Sequence, residues 1–303
     1  MSSQPTIHNF SHDAMRTRFW LRIADEDAGY AKSASEGLFH FLDDLDFQTE
    51  ARHDSGPITS INGMPEGALV TASDHVRALW DFSQNLREET GKAFDVSGGK
   101  LFKYWEARGD TVPNPDDAEW SRLWADYQEG SFVLDGAQFT CVKAGAAIDF
   151  GAITRGYALD RMAAHLGEWA ITTACLQSGG STALTLAAPA GHTGWPIGIG
   201  EDVTHRMLTL TDTALSGSGI AVQGAHLIDP RTGAPSPRAT RTWALAPTAA
   251  LSDALSTAFF IFSEEEIAAF CAAHPEIGGA SAGSSTQLNV HGALARYPAT
   301  ASV

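Results

Sequence analysis

The sequence has few cysteines and no long apolar run, and each shortage excludes a class of protein. The three cysteines, Cys141, Cys175 and Cys271, form no C-x-x-C pair, so neither a disulfide framework nor a thiolate zinc site is expected. No stretch approaches the roughly 20 apolar residues that span a bilayer. The first residues lack the basic and apolar regions of an export signal. We therefore predict a cytoplasmic protein, or a periplasmic one if a signal segment has been removed.

Positive charge is also scarce. The chain has 20 Lys and Arg residues against 36 Asp and Glu residues, which gives a formal net charge of −16. Such an acidic excess disfavours unspecific binding to nucleic acid or anionic lipid, because like charges repel. The 44% of hydrophobic and 18% of charged residues are typical of a globular chain. We expect no nucleic-acid partner and no membrane span.

The hydrophobic pattern indicates helices and strands in mixed order. Residues 17–23 alternate apolar and polar side chains as a strand does, and residues 38–45 have helical spacing. Asp135-Gly136 between two apolar runs is typical of a hairpin turn. Further helices are predicted from Ser73, at about 154–166, around 252–262, and at 264–273 with Ser263 and Glu266 as a capping box.

This order predicts an α+β fold rather than a regular βαβ alternation. Residues 107–120, rich in Gly, Pro, Asn and Asp, are predicted to form a surface loop. We interpret residues 1–303 as a single domain, with a division into two lobes near 107–120 as the alternative.

Four segments combine glycine with polar residues in a way that suits ligand binding. Glycine lets the backbone approach a ligand closely, and successive N–H groups can hold phosphate. Each segment alone is also consistent with an ordinary turn, and neither a P-loop nor a G-x-G-x-x-G pattern is present. The segments are 93–99, 148–157, 177–181 and 226–233.

A fifth segment suggests a metal site. Asp253 and Thr257 are four residues apart, so on a helix they share one face. A carboxylate and a hydroxyl are hard oxygen ligands of the kind that Mg²⁺ takes in small number. The alternative is structural, with the Asp interacting with the helix dipole and the Thr bonding to the backbone.

In this order, the segments resemble those of the FAD:protein FMN transferase (ApbE-type) family, over about Met15 to Phe262. The three strongest matches are D-F-G-A-I-T-R-G-Y-A-L-D at 149–160, H-L-I-D-P-R-T-G at 226–233 and S-D-A-L-S-T-A at 252–258. They are similar to the family's D-L-G-G-I-A-K-G-Y-A-x-D, H-I-I-D-P-R-T-G and A-D-A-L-S-T-A. Weaker matches are A-F-D-V-S-G-G at 93–99 and M-R-T at 15–17.

The resemblance implies an ApbE-like fold of mixed, largely antiparallel sheets packed by helices, with a cleft for flavin between lobes. It also implies an enzyme, a Mg²⁺-dependent transferase. The family moves FMN from its substrate FAD to a Thr or Ser hydroxyl of an acceptor protein and releases AMP.

Individual positions take roles from the same resemblance. Residues matching those that contact FAD are Met15, Ala93, Phe94, Asp95, Asp149, Arg155 and Leu227. Residues matching the Mg²⁺ ligands are Ala152, through its backbone carbonyl, Asp253 and Thr257. His226 matches the proposed general base, and a histidine near neutral pKa suits that task. A hydrogen-bonded histidine before a turn is the alternative.

The sequence departs from the family pattern at several positions: Arg16 stands where the family has Gly, Arg155 where it has Lys, and Ser181 where it has Asp. Residues 216–226 lack the aromatic and Arg residues often seen there, and Glu50 lies near where some members have an aromatic residue. Two other functions therefore stay open. One is an FAD pyrophosphatase that gives FMN and AMP when water replaces the acceptor hydroxyl. The other is a non-catalytic flavin- or nucleotide-binding protein, which Arg16 and Ser181 favour.

Overall fold

The computed structural model describes residues 5–24, 26–108, 117–200, 205–219, 227–236, 240–283 and 288–297. The helices are α1 (Ala28–Thr49), α2 (Pro57–Asn62), α3 (Asp74–Glu89), α4 (Gly99–Arg108), α5 (Ala118–Glu129), α6 (Thr154–Glu168), α7 (Ala249–Ile261) and α8 (Glu264–Ala273). The strands are β1 (Ile7–Ala14), β2 (Thr17–Ala24), β3 (Leu69–Thr71), β4 (Ser131–Asp135), β5 (Gln138–Lys143), β6 (Ala174–Ser178), β7 (Thr182–Thr185), β8 (Trp195–Ile199), β9 (Arg206–Leu210), β10 (Thr213–Gly219), β11 (Ile228–Asp229), β12 (Ala234–Pro235), β13 (Arg241–Ala246), β14 (Gly278–Ala282) and β15 (Leu288–Gly292).

The chain forms two compact units that alternate along the sequence. The first unit comprises Met1–Asp44, Arg155–Ser218 and Ala239–Val303. The second unit comprises Leu45–Thr154 and Gly219–Arg238, and thus includes the described part of 107–120. Each unit is therefore assembled from segments that are distant in sequence. The single-domain interpretation stays a prediction.

An eight-stranded sheet of order β1-β2-β6-β7-β10-β13-β14-β15 forms the centre of the first unit. Strands β1 and β2 pair from Ile7↔Ala24 to Ala14↔Thr17, so only Met15 and Arg16 connect them. Both connecting residues have positive φ, 49° and 57°, as a two-residue hairpin turn requires. Met15 is buried there, while Arg16 is exposed.

Helix α7 packs on this sheet with nearly every residue buried, which is typical of a core helix that is apolar on all sides. Thr248 caps its N-terminus by accepting the N–H of Leu251. The helix therefore begins at Ala249, three residues before the predicted start near Ser252. Asp253 thus lies in the second turn rather than in the first.

The second unit contains a three-stranded antiparallel sheet of order β3-β5-β4. The predicted Asp135-Gly136 hairpin connects β4 to β5, with Gly136 at a φ of 58°. Helices α4 and α5 pack around a cluster of large side chains: Leu101, Tyr104, Trp105, Leu123 and Ile228.

Several further expectations from sequence are confirmed, and the prediction for residues 107–120 is wrong in part. The strand at 17–23, the helix at 154–166 and the helix at 264–273 with its capping box are all present. The loop predicted over 107–120 is wrong at both ends, because α4 continues to Arg108 and α5 begins at Ala118. Asp117 caps α5 by accepting the N–H groups of Glu119 and Trp120. Residues 109–116 lie outside the described residues.

The sequence pattern did not predict β1, α2, β3, α4, α5, β13, β14 or β15. Within the described part of the chain, no helix combines the length and apolar character needed to cross a membrane.

Helices α6 and α7 approach each other closely at Gly156, near the start of α6. The backbone N–H of Gly156 donates a 3.0 Å hydrogen bond to Oδ2 of Asp253. A Cβ atom at this position would overlap the carbonyl oxygen of Ala249 and lie 2.8 Å from the Cβ of Asp253. Only glycine therefore permits this contact between the two helices.

We predict opposite effects for two glycine substitutions in α6. Gly156→Ala should destabilise the protein by roughly 1–3 kcal/mol, because the methyl group forces the helices apart. Gly167→Ala, at an exposed position with no atom near the added Cβ, should stabilise it by roughly 0.4–1 kcal/mol. Urea titrations of both variants measure the two free energies of unfolding. Equal effects of the two substitutions would contradict the close contact at Gly156.

Candidate active site

The carboxylate of Asp253 is held in place from two sides. Oδ2 accepts the N–H of Gly156, and Oδ1 accepts the hydroxyl of Thr182 at 3.3 Å. The residue is only 3% exposed. Its orientation is therefore fixed by groups from α6 and β7.

The surroundings of Asp253 also determine its charge. Burial raises the pKa of this carboxyl group, and the cation of Arg155 with the two hydrogen-bond donors counteracts that shift. A buried carboxylate that has lost its water is costly unless a positive charge compensates it. A bound cation would supply that compensation.

Thr257 lies one turn after Asp253 on the half-buried side of α7. Its hydroxyl oxygen is 3.2 Å from the hydroxyl of Ser218, which is itself 2.7 Å from that of Ser256. One carboxylate and one hydroxyl on the same helix face give a donor set of hard oxygens, which fits Mg²⁺. No cluster of three or more His, Cys, Asp or Glu that could hold a metal occurs among the described residues. The predicted site needs only one carboxylate.

Asp160, at the end of the first long motif, positions the start of α7. Its two carboxylate oxygens accept the N–H groups of Ala249 and Ala250 at 2.7 and 2.8 Å. These N–H groups have no partner within their own helix. Burial raises the pKa of Asp160 to about 6, although both N–H groups oppose the shift.

In the second unit, two of the predicted FAD-binding segments lie side by side. The N–H of Asp149 donates to the carbonyl of Val96, and the N–H of Gly99 donates to the carbonyl of Ala147, both at 2.8 Å. The structure thus brings the segment containing Ala93, Phe94 and Asp95 next to the one containing Asp149 and Ala152. Ala93 and Phe94 are almost fully buried.

The carboxylate of Asp95 is engaged within its own unit. It accepts hydrogen bonds from the guanidinium of Arg87, from the hydroxyl of Tyr127 at 2.8 Å and from the N–H of Ser97 at 2.8 Å. Burial, together with the nearby charge of Asp95, raises the pKa of Tyr127. The side chains of Arg87, Asp95 and Tyr127 line a cavity of about 360 Å³, with Trp124 and Arg231 also in its wall. The bonds explain the burial of Asp95 without any ligand.

The D-P-R-T-G segment forms a tight turn that tryptophans surround. Gly233 has a φ of 73°, and its N–H donates to the carbonyl of Asp229 at 2.8 Å. The carbonyl of Gly233 accepts both indole N–H groups of Trp105 and Trp120, each at 3.0 Å. A Cβ at Gly233 would overlap the ring of Trp124. Residues 229–233 therefore form a turn, and a binding role for the segment stays a prediction.

The predicted site residues are divided between the two units. Those in the first unit are Met15, Arg155, Asp253 and Thr257. Those described in the second unit are Ala93, Phe94, Asp95, Asp149, Ala152 and Leu227. His226 lies outside the described residues, so its role as a base stays a prediction.

Sequence reasoning missed several residues that shape the site. Gly156 and Asp160 lie inside the motif at 149–160, so their position in that motif could have identified them. Thr182 and the indoles of Trp105 and Trp120 come from other elements, and no local pattern marks them.

The fold and these motifs define one protein family. A model of the ApbE family matches residues 15–279. Because this match covers most of the chain, the protein belongs to the ApbE family.

Similar proteins carry one shared name. A protein of Treponema pallidum (strain Nichols) named FAD:protein FMN transferase is 26% identical over 278 residues, covering 82% of this chain and 77% of that protein. A protein of Haemophilus influenzae with the same name is 25% identical and covers 86% of this chain and 82% of its own length.

Solved structures show the same fold. Flavin Transferase ApbE from Vibrio cholerae has a TM-score of 0.85 at 19% identity, with 97% of this chain and 100% of that chain covered. The apo flavinyl transferase ApbE of Pseudomonas stutzeri has a TM-score of 0.81 at 20% identity, with 96% and 95% covered. The predicted α+β fold with largely antiparallel sheets is confirmed.

We predict that Gly233→Ala destabilises the protein more than Gly136→Ala does. Both glycines have positive φ, so each alanine should cost roughly 1–2 kcal/mol. Only the methyl group at residue 233 also collides with the ring of Trp124. Thermal unfolding followed by tryptophan fluorescence compares the two variants. Equal losses would show that Trp124 does not confine the turn.

We also predict a pH dependence that Asp160→Asn removes. Since the pKa of Asp160 rises from 3.8 to about 6 on folding, its contribution to stability is fully present below about pH 4 and is lost as the pH rises through 6. The stability lost over this pH range corresponds to roughly 3 kcal/mol. Urea titrations between pH 4 and 7, without added metal, should show wild type losing stability relative to the variant. If the free energies of unfolding of the two proteins differ by the same amount at every pH, the predicted role of Asp160 is wrong.

Proposed function

We propose that this chain is an FAD:protein FMN transferase, which moves the FMN part of FAD to a Thr or Ser hydroxyl of an acceptor protein and releases AMP. Its membership of the ApbE family and the shared name of its relatives support the activity. The observation that carries the proposal is the buried Asp253 carboxylate, oriented by Gly156 and Thr182, with the Thr257 hydroxyl one turn further on.

Asp253, Thr257 and the backbone carbonyl of Ala152 would hold Mg²⁺. The bound ion would neutralise negative charge on the pyrophosphate of FAD as its bond breaks. The chain supplies a carboxylate whose orientation is fixed before the ion binds. Its burial lowers the local dielectric constant, which strengthens the attraction for a cation.

Arg155 supports the binding of an anionic substrate. It is half-buried, and its buried Nε–H has no hydrogen-bond partner among the described residues. A buried donor without an acceptor is costly, and a phosphate oxygen of FAD would satisfy it. We propose further FAD contacts at Met15, Asp149 and Leu227, and along the backbone of residues 93–95.

His226 would act as the general base. A neutral imidazole can take the proton of the acceptor hydroxyl as that oxygen attacks phosphorus, and AMP then leaves. This role rests on the matching motif at 226–233.

The direct test is to incubate the purified protein with FAD, Mg²⁺ and an acceptor protein and to measure the acceptor mass and free AMP. We expect an acceptor heavier by one FMN less one water, because the acceptor oxygen replaces AMP at phosphorus, and an equal amount of AMP. AMP and FMN without acceptor modification would favour a pyrophosphatase. Binding of FAD with neither product would favour a non-catalytic binding protein.

Replacing Asp253 by Asn should abolish Mg²⁺-dependent turnover. The amide oxygen still accepts hydrogen bonds, so the fold should persist, but the charge that attracts a hard cation is lost. Turnover and melting temperature are measured across a Mg²⁺ titration, with Asp81→Asn on the exposed side of α3 as the control. Normal turnover of a folded Asp253→Asn protein would remove this residue from the mechanism.

Replacing His226 by Ala should lower turnover roughly 10²–10⁴-fold, the usual contribution of a positioned base. FAD affinity should change little, because the imidazole acts on the acceptor hydroxyl. The wild-type rate should fall as the pH drops through the histidine pKa, because only neutral imidazole accepts a proton. A well-folded His226→Ala protein with near-normal turnover would contradict this role.

A further inference from the structure

Three hydroxyl groups lie in a row across neighbouring strands of the first unit. Thr182 on β7 pairs with Ser178 on β6 and with Ser216 on β10, in antiparallel register on both sides. Directly opposed residues of antiparallel strands project their side chains to the same face of the sheet. The three hydroxyls therefore face the same side, where that of Thr182 meets Asp253.

The two outer hydroxyls of this row are unusual. Ser178 and Ser216 are both 0% exposed, and neither side-chain oxygen has a hydrogen-bond partner among the described residues. Buried polar groups are nearly always satisfied by protein or by ordered water. Two such groups beside one carboxylate-bonded hydroxyl therefore leave hydrogen-bonding positions that ordered water would satisfy.

The row continues towards Thr257. Ser218, two residues after Ser216 and thus on the same face of β10, bonds to the hydroxyls of Ser256 and Thr257 on α7. Hydroxyls therefore adjoin both of the predicted side-chain ligands of the cation. Mg²⁺ loses its hydration water reluctantly and usually keeps several water molecules when protein binds it.

We propose that Ser178, Thr182 and Ser216 are positioning residues of the cation site: Thr182 orients the Asp253 carboxylate, and the two serines hold ordered water that hydrates the bound cation. The proposal rests on the proposed function, because it assumes a cation at Asp253. Groups that hydrogen-bond to metal ligands commonly change metal affinity 10–100-fold when they are removed.

The test uses Mn²⁺ as a paramagnetic probe whose free fraction is measured by electron paramagnetic resonance, with and without FAD. The variants are Thr182→Val, Thr182→Ser, Ser178→Ala and Ser216→Ala. Thr182→Val should weaken Mn²⁺ binding 10–100-fold, and Thr182→Ser should restore it. Ser178→Ala and Ser216→Ala should weaken it about tenfold.

Ser83→Ala is the matched control. Ser83 on α3 is also fully buried without a partner for its hydroxyl among the described residues, but it is not part of the hydroxyl row on β6, β7 and β10. Its substitution should leave Mn²⁺ affinity unchanged. Melting temperatures of all variants separate a change in cation affinity from a loss of folded protein.

Three outcomes decide the matter. Weaker Mn²⁺ binding by Ser178→Ala and Ser216→Ala, but not by Ser83→Ala, supports the proposal. Wild-type affinity in folded Ser178→Ala and Ser216→Ala proteins overturns it and leaves the proposed transferase intact. If the wild type binds no Mn²⁺ in either condition, the cation site of the proposed function fails, and this proposal fails with it.

Discussion

The contact between Gly156 of α6 and Asp253 of α7 is the constraint on which the candidate active site depends. A side chain at residue 156 would collide with the backbone of α7 at Ala249, so the close approach requires glycine. That approach allows a backbone N–H to reach the carboxylate. It also buries the carboxylate, which raises its pKa and makes a neighbouring cation favourable. One residue without a side chain thus allows the backbone of α6 to hold a buried carboxylate.

Other contacts of the first unit stabilise the same arrangement. Asp160 binds the first N–H groups of α7, and Thr182 orients the second carboxylate oxygen of Asp253. In the second unit, a different device fixes a motif: two indole N–H groups converge on the carbonyl of Gly233. In both units, a glycine of a sequence motif is confined by residues that lie far away in the chain.

The sequence predicted the local elements where local chemistry decides them. The capping box at Ser263 and the Asp135-Gly136 turn are both present because each depends on neighbouring residues only. The start of α7 was placed too late, because the N–H groups of its first turn are satisfied partly by Asp160, about ninety residues earlier. Sequence motifs include Asp253 and Thr257. Thr182 contacts Asp253 from strand β7, and no local sequence pattern identifies it. Which hydroxyls accompany a carboxylate depends on strand register, which the pattern of β6, β7 and β10 alone does not determine.

We propose that Asp253 and Thr257 hold a divalent cation in this ApbE-family transferase. Anomalous diffraction from crystals grown with Mn²⁺ and FAD tests it most directly. We expect an anomalous peak within coordination distance of the Asp253 carboxylate and the Thr257 hydroxyl. A Mn²⁺ peak on FAD phosphates with no contact to Asp253, or at another place on the chain, would contradict it.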